Sequence, residues 1–420
     1  MNQDDEKSPW KVPDCSQPKH TNSPIFSTLI FLAVMLLIVA GNIFSNISLE
    51  SSTFNVEASS EVIPTKNINS NIMIASKKSK RNDNHWEMPN PLTPPKNTTS
   101  KDRIAWLCMH LPEFEVFRST NLSKQFNGRV LKFFNETCEV RFFMTWIAPA
   151  QVFGRREFRA VESVFKAHPN GCLMIVSGSM DSPQGDSILK PLLDRGFRVL
   201  AATPDFQLLL ENTPAKAWFD EIRSCKRDPG RIPLSQNLSN LARLVIIYKY
   251  GGVYIDTDFI VMRSFKGLKN SIGAQTVDEQ SKNWIRLNNA VLIFEKNHPL
   301  VYGFIEEFAS TFDGNRWGHN GPYLVSRVAK RVEGEIGKNF TVLSPTAFYP
   351  FNWIEIQSLF RKPKSSNETR LSEAELLKLN KESYGMHLWN KKARNLPIEK
   401  GSVIDRIISE NCVICGETPR

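Results

Sequence analysis

The segment Tyr248-Lys249-Tyr250-Gly251-Gly252-Val253-Tyr254-Ile255-Asp256-Thr257-Asp258 constrains this chain more than any other. Ahead of it, Leu241, Leu244, Val245 and Tyr248 recur at helical spacing, which predicts a helix over residues 239–249. Gly251-Gly252 stops that helix, because glycine relaxes into the left-handed cap. An apolar, β-branched run follows at once and closes on two carboxylates. Alternate residues of a strand share a face, so Asp256 and Asp258 are expected to point the same way. Two like charges on one face repel unless a cation lies between them. Hard divalent ions such as Mg²⁺ or Mn²⁺ take oxygen ligands and bridge protein carboxylates to phosphates. The expectation is a metal–diphosphate site, against the plain alternative of a solvated edge pair. Asn240 and Arg243, three residues apart, share a face of the preceding helix. That places a cation, Arg243, near the same diphosphate or sugar.

Strand and helix signals alternate from Val140 onward. Residues 140–147, 172–177, 197–202 and 290–295 read as buried strands, and Phe158, Val161, Val164 and Phe165 mark an amphipathic helix ended by His168-Pro169. Tyr384 to Trp389 reads as a late strand carrying His387. Such interleaving argues an α/β fold, a mostly parallel sheet covered on both faces, with ligands at the carboxyl ends of strands. Asp256 and Asp258 sit at such an end.

The chain has 420 residues, 41% hydrophobic and 23% charged, ordinary values for globular protein. Its N-terminal part departs from that average. Residues 25–44 are apolar and carry no formal charge, enough to cross a bilayer as a single transmembrane anchor. Lys7, Lys11 and Lys19 precede the span and no Lys or Arg follows until Lys66. The positive-inside rule then puts residues 1–24 in the cytosol and the rest in the lumen, a single-pass type II arrangement. Residues 45–100, rich in Ser, Asn, Thr and Pro, read as a disordered stem. Residues 101–138 are expected to form an N-terminal helical extension and residues 139–416 the α/β domain that carries the Asp-X-Asp motif. Asn46, Asn97, Asn121, Asn135, Asn237, Asn339 and Asn367 head sequons, which carry meaning only in a secretory compartment. The luminal cysteines Cys108, Cys138, Cys172, Cys225, Cys412 and Cys415 fit up to three disulfides; a reduced Cys172 in its core strand would break that even count. Cys412-X-X-Cys415 has no second Cys or His pair at zinc spacing, so it reads as a structural disulfide. The net charge of +10 comes with no nucleic-acid motif, so nucleic acid is not an expected partner. A basic luminal surface suits an anionic nucleotide or membrane headgroups instead.

The Gly-Gly-X-Tyr-X-Asp-X-Asp core is accompanied, in order, by other segments: Phe142-Phe143-Met144-Thr145-Trp146, Asn240-Leu241-Ala242-Arg243, Leu287-Asn288-Asn289-Ala290, Gly318-His319-Asn320-Gly321-Pro322 and Tyr384-Gly385-Met386-His387-Leu388-Trp389-Asn390. Together they resemble the sugar-binding region of Asp-X-Asp glycosyltransferases, and within these the α-1,4-glycosyltransferase family (lactosylceramide 4-α-galactosyltransferase-like, with plant homologues). The resemblance spans residues 140–416. It implies a GT-A-type nucleotide-binding sandwich and a Golgi membrane enzyme. The expected reaction moves a hexose, galactose favoured, from a UDP-sugar to a glycan or glycolipid acceptor, with retention at the transferred carbon. It implies Mn²⁺ or Mg²⁺ on Asp256, Asp258 and His387, with Thr145 and Trp146 at the nucleobase. Arg243 and Asn240 then meet the donor sugar or its phosphates, Asn289 meets the transferred sugar, and His319 and Asn320 lie beside its anomeric carbon. Many members carry Asp where this chain has Asn240, which leaves the donor sugar open.

Two other classes compete. A metal-dependent phosphohydrolase also runs an apolar strand into Asp-X-Asp, but needs a later acidic pair; the aspartates after Asp258 are the isolated Asp278, Asp313 and Asp405. A luminal lectin or transferase-like scaffold without activity would not need the Asp pair, Arg243 and His387 together.

Overall fold

Apolar strands that are hydrophobic at every position need cover on both faces, and this chain supplies it with alternating helices. The computed structural model describes residues 92–134, 137–335 and 339–415. The expected anchor at 25–44 and most of the stem lie outside these residues. Among the described residues no helix is long and apolar enough to cross a membrane. Helices α1 (Ser100–His110) and α2 (Phe126–Phe133) lead into β1 (Arg141–Thr145). Then come α3 (Arg155–Ala167), β2 (Cys172–Val176), α4 (Pro183–Leu193), β3 (Arg198–Ala202) and α5 (Ala215–Arg223). The central helix α6 (Leu234–Tyr250) runs straight into β4 (Gly252–Ile255). After β5 (Phe259–Val261), a hairpin of β6 (Ser271–Val277) and β7 (Trp284–Phe294) precedes α7 (Pro299–Thr311) and α8 (Pro322–Arg331). The remainder is β8 (Thr341–Leu343), α9 (Ser366–Glu382), β9 (Gly385–His387) and α10 (Val403–Glu410), with shorter helical turns between.

The main sheet has the order β3-β2-β1-β4-β7-β6-β8. Strands β3, β2, β1 and β4 run parallel to one another, β7 is antiparallel to both β4 and β6, and β8 is parallel to β6. This is an α/β domain with a mostly parallel, mixed sheet. Side-chain alternation along β1 divides the core. Phe143 joins the helices α5, α6, α7 and α8 on one face, while Phe142 and Met144 join α3, α4 and α10 on the other. Leu107, Phe126 and Val130 from α1 and α2 bury into the first of these cores. Disulfides Cys108–Cys225 and Cys138–Cys172 fasten the same region, and Cys412–Cys415 closes a C-terminal loop. The alternative of a reduced Cys172 is therefore corrected. β2 begins at Cys172, beside the entry to β1, and Cys138 approaches it there.

Element positions follow the sequence pattern, with instructive shifts. α6 starts at Leu234, earlier than expected, because Ser235, Asn237 and Leu238 are also buried against the sheet. The strand expected at 290–295 is the second half of the longer β7, whose first half carries polar residues over the cleft. The α6-to-β4 turn requires glycine twice. Gly251 has φ +66°, and Gly252 has φ +113° with an added Cβ meeting the Arg141 carbonyl oxygen at 2.7 Å. Gly252→Ala is expected to destabilise the domain by about 2 kcal/mol through backbone strain and that clash. A lowered thermal-unfolding midpoint checks it, and an unchanged midpoint would contradict the tight helix-to-strand junction.

Candidate active site

The two carboxylates of the motif do not sit on a strand. β4 ends at Ile255, and Asp256, Thr257 and Asp258 form a turn in which the Phe259 amide donates to the Asp256 carbonyl at 3.1 Å. The expectation from strand alternation is corrected. The reason is that β5 leaves the main sheet and pairs antiparallel with β9, with Phe259 opposite His387. The turn is tied on both sides: the Asp256 amide donates to the Ala290 carbonyl at 2.9 Å, and the Leu388 amide to the Asp258 carbonyl at 2.8 Å. Convergence of the carboxylates thus comes from tertiary pairing rather than from local periodicity.

That pairing brings in the third ligand candidate. His387 Nε2 lies 3.2 Å from Asp258 Oδ1 and 3.9 Å from Asp256 Oδ2. One ligand atom from each of Asp256, Asp258 and His387 falls within 4.8 Å of the others. The donor set fits a divalent ion of the Mn²⁺ or Mg²⁺ kind: two hard carboxylates, one imidazole, and an open cleft for further oxygen ligands. Electrostatics mark the crowding. Burial raises the Asp256 carboxyl, Arg243 opposes it, and Asp258 adds to the rise, so it ends above its ordinary value. Burial also raises Asp258, but the His387 charge and hydrogen bond, with the Asn390 amide, outweigh it and bring it below. Burial lowers the His387 imidazole; Asp258 and then Asp256 overcome this and pull it up. Asp258 Oδ2 accepts from the Asn390 amide at 2.8 Å, fixing the carboxylate. Among the described residues His387 Nδ1 has no hydrogen-bond partner, and its ring packs against Trp389 and Tyr349.

Arg243 anchors the other side. It is 3% exposed, which only full hydrogen bonding makes tolerable for a guanidinium. Its Nη1 reaches Asp256 Oδ1 at 3.0 Å and the Asn289 carbonyl at 2.9 Å, its Nη2 donates to Ser239 Oγ at 3.0 Å, and the group lies over the Tyr254 ring. The Tyr254 hydroxyl donates to Asp256 Oδ1 at 2.8 Å and meets Thr145 Oγ1 at 2.8 Å; Thr145 Oγ1 is 2.6 Å from Ser239 Oγ. Tyr254 is buried, and that burial raises its phenol, keeping it a donor to Asp256. Thr145 therefore has its hydroxyl engaged within the protein, while Trp146 lines the cleft with Nε1 donating to the Pro149 carbonyl.

A floor of carboxamides continues from Arg243. Asn289 Nδ2 donates to Asn240 Oδ1 at 3.0 Å, and Asn320 Nδ2 to Asn237 Oδ1 at 3.0 Å. Asn320 also exchanges hydrogen bonds with the Asp313 backbone, so it shapes its own loop. His319 does not join the group: its Nε2 is 2.8 Å from the Thr311 carbonyl, and it is absent from the cleft lining. The cleft measures about 870 Å³ and gathers Thr145, Trp146, Asn240, Arg243, Asp256, Asp258, Asn289, Asn320 and His387. It also contains residues that sequence reasoning missed: Glu157, Ser239, Gln275, Arg286 and Lys391. The tyrosine of Gly-Gly-X-Tyr offered a signal for Tyr254 as well, since it lies two residues from Asp256 inside the same motif. Arg286 offered none.

Comparisons with known proteins fit this geometry. Residues 154–278 match the model of a glycosyltransferase sugar-binding region containing a DXD motif, and residues 293–418 that of an alpha 1,4-glycosyltransferase conserved region. An uncharacterized protein of Arabidopsis thaliana is 31% identical over 296 residues, covering 68% of this chain and 44% of that protein. Lactosylceramide 4-alpha-galactosyltransferase of Mus musculus is 31% identical over 257 residues, 58% of this chain and 65% of the relative. The enzyme of the same description from Pongo pygmaeus is 31% identical over 205 residues, 47% of this chain and 85% of the relative. The chain thus spans under half of the plant relative and just under two thirds of the mouse one.

Two outcomes test the geometry. Asp256→Asn leaves the buried Arg243 without its carboxylate and is expected to cost about 2 kcal/mol of metal-free stability. Asp258→Asn leaves the buried His387 without the carboxylate that raises its imidazole, so its cost is present at low pH, where His387 is charged, and shrinks as pH rises through the raised His387 pKa. Denaturant titration of both variants in chelator at a low and a high pH decides it; the same pH dependence of the loss in both would refute the assigned pairing. Asn237 is 2% exposed with its Oδ1 engaged by Asn320, so its sequon is expected to stay empty, while the exposed Asn121, Asn339 and Asn367 are open to modification. Glycopeptide mapping of secretory-expressed protein reads this, and a glycan on Asn237 would contradict the placement of α6.

Proposed function

The chain belongs to the α-1,4-glycosyltransferase family, and we propose that it is a metal-dependent hexosyltransferase acting from a UDP-sugar, with galactose the favoured unit and a glycan or glycolipid the acceptor. The observation that carries this is the convergence of Asp256, Asp258 and His387 beside the buried Arg243 in one cleft. The proposal includes retention at the transferred carbon and a type II Golgi membrane setting with the catalytic part luminal, in keeping with the residue 25–44 span.

Asp256, Asp258 and His387 would hold the ion, and Mn²⁺ or Mg²⁺ there would neutralise negative charge on the departing nucleoside diphosphate. The chain's own residues do the positioning. Arg243 and Tyr254 fix the orientation of Asp256, and the Asn390 amide fixes that of Asp258. Lys391 and Lys392 stand on the short helical turn Asn390–Ala393 that follows β9 and line the same cleft, a source of positive charge for phosphate oxygens. Trp146 offers an aromatic face on the β1 side, where a uracil ring can stack. Asn240 and Asn289 offer amide donors and acceptors for sugar hydroxyls.

The test is Mn²⁺-dependent turnover of a panel of UDP-hexoses by the full chain, with the anomeric outcome read by NMR. His387→Ala removes one ligand and leaves two carboxylates. Its activity is expected to fall at limiting Mn²⁺ and recover in part at high Mn²⁺, with a Mn²⁺ requirement raised about 10–100-fold, the scale on which altered metal shells act. Wild-type metal dependence in this variant would make His387 a packing residue. Absence of turnover or binding of any UDP-sugar would leave a luminal binding protein.

A further inference from the structure

The cleft is electrically lopsided. Among its described lining residues the carboxylates are Glu157, Asp256 and Asp258. Each already faces a cationic or cation-forming partner: Arg394 lies 3.6 Å from Glu157, Arg243 3.0 Å from Asp256, and His387 3.2 Å from Asp258. Arg286 has no acidic partner among the described residues. It is half-buried, lines the cleft, and holds its guanidinium 4.4 Å from the centre of the Tyr323 ring. Stacking on an aromatic face orients a guanidinium while leaving its N–H edge free.

Its place in the fold says what can reach it. Ala290 on β7 is bonded to Asp256, and Arg286 stands four residues earlier, about 13 Å further along the strand at the usual rise. β7 lies on one side of β4, and β1, with Thr145 and Trp146, lies on the other. Arg286 is thus across the metal-ligand cluster from the β1 side, beyond Asn289 and Asn288. Toward the metal-ligand candidates the lining is carboxamide: Asn288 Nδ2 donates to Gln275 Oε1 at 3.0 Å and Asn289 Nδ2 to Asn240 Oδ1 at 3.0 Å, while Arg316 adds a second cation to the cleft. Carboxamides with one oriented guanidinium match a sugar whose hydroxyls are accompanied by a single carboxylate, since Arg binds carboxylates through two parallel hydrogen bonds.

We propose that Arg286 is a specificity-determining residue that binds the carboxylate of a uronic acid, carried either by the transferred sugar or by the acceptor. This rests on the proposed UDP-sugar transferase reading. The two sources share one chemistry and separate experimentally.

The full chain, solubilised in detergent with Mn²⁺, is assayed in two arms. The donor arm compares UDP-glucuronate with UDP-glucose and UDP-galacturonate with UDP-galactose, following UDP release and, for binding, titration calorimetry. The acceptor arm uses the best donor with p-nitrophenyl β-glucuronide against the β-glucoside and the β-galacturonide against the β-galactoside. The expected result is an acidic-to-neutral ratio of kcat/KM, or of affinity, of ten or more in one arm. That ratio should drop at least tenfold in Arg286→Gln and be partly kept in Arg286→Lys. The ratio is internally controlled, because a misfolded fraction lowers both of its members equally. Preference in the donor arm identifies the transferred unit as the acid, and preference in the acceptor arm identifies the acceptor. A ratio of one or below in both arms, with neutral UDP-hexoses turned over, overturns this inference and leaves the transferase reading standing. So does a preference that Arg286→Gln leaves unchanged. If no UDP-sugar binds or turns over, both readings fall.

Discussion

The ion pair between Arg243 and Asp256 is the constraint around which the site is built. A guanidinium this buried is tolerable only with its donors satisfied, and three separate elements satisfy them. α6 supplies Ser239, the β4 exit supplies Asp256 and the face of Tyr254, and β7 supplies the Asn289 carbonyl. Those bonds fix α6 over the carboxyl end of the sheet. The two-glycine junction then becomes necessary, because the same helix must enter β4 without a linker long enough to relax the turn. Helix, turn and strand are one device for holding a carboxylate in a defined direction beside a second carboxylate.

The second carboxylate depends on a remote part of the chain. Asp258 faces His387 and is bonded by the amides of Leu388 and Asn390, all delivered by the β5–β9 ribbon. Trp389, in left-handed conformation with φ +54°, turns the chain out of β9, and its indole donates to the Phe351 carbonyl at 2.8 Å. The C-terminal segment is held down by a buried acid on α3: Glu162 accepts from the Ile414 amide at 2.8 Å and pairs with Arg159. The metal-ligand candidates are therefore preorganised from both ends of the catalytic region. Preorganisation of this sort is where catalytic electrostatics gain over water, since the dipoles need not reorient during reaction.

What the sequence made legible divides along the same line. Periodicity located β1, β2, β3, α3 and the core of α6, because burial on two faces imposes an uninterrupted apolar pattern. The motif residues Asp256, Asp258, Arg243 and Asn240 were legible because they lie within one short helix–turn–strand span. The turn geometry of Asp-X-Asp was not, since it is imposed by pairing with a strand about 130 residues later in the chain. His319 illustrates the opposite failure: a polar residue inside a glycine-rich motif can serve the loop instead of the cleft. Asn320 shares both roles, touching the lining while bonded to Asp313. Arg286 was invisible because an isolated arginine on a polar stretch acquires meaning only when the surrounding lining is seen to lack acids.

Asn240 connects the anchor to specificity. It lies on the face of α6 that holds Arg243, one turn away, and accepts from Asn289 through Oδ1. An aspartate could accept the same bond, but it would add a third carboxylate close to Arg243 and compete with Asp256 for it. The amide keeps the geometry and removes the competition, so Arg243 stays committed to orienting the metal-side carboxylate. It also adds no carboxylate to the β7 side of the cleft, where Arg286 has no acidic partner among the described residues. One carboxamide at position 240 thus serves two ends: a single counter-ion for the buried guanidinium, and a neutral floor on which an anionic sugar meets no repulsion.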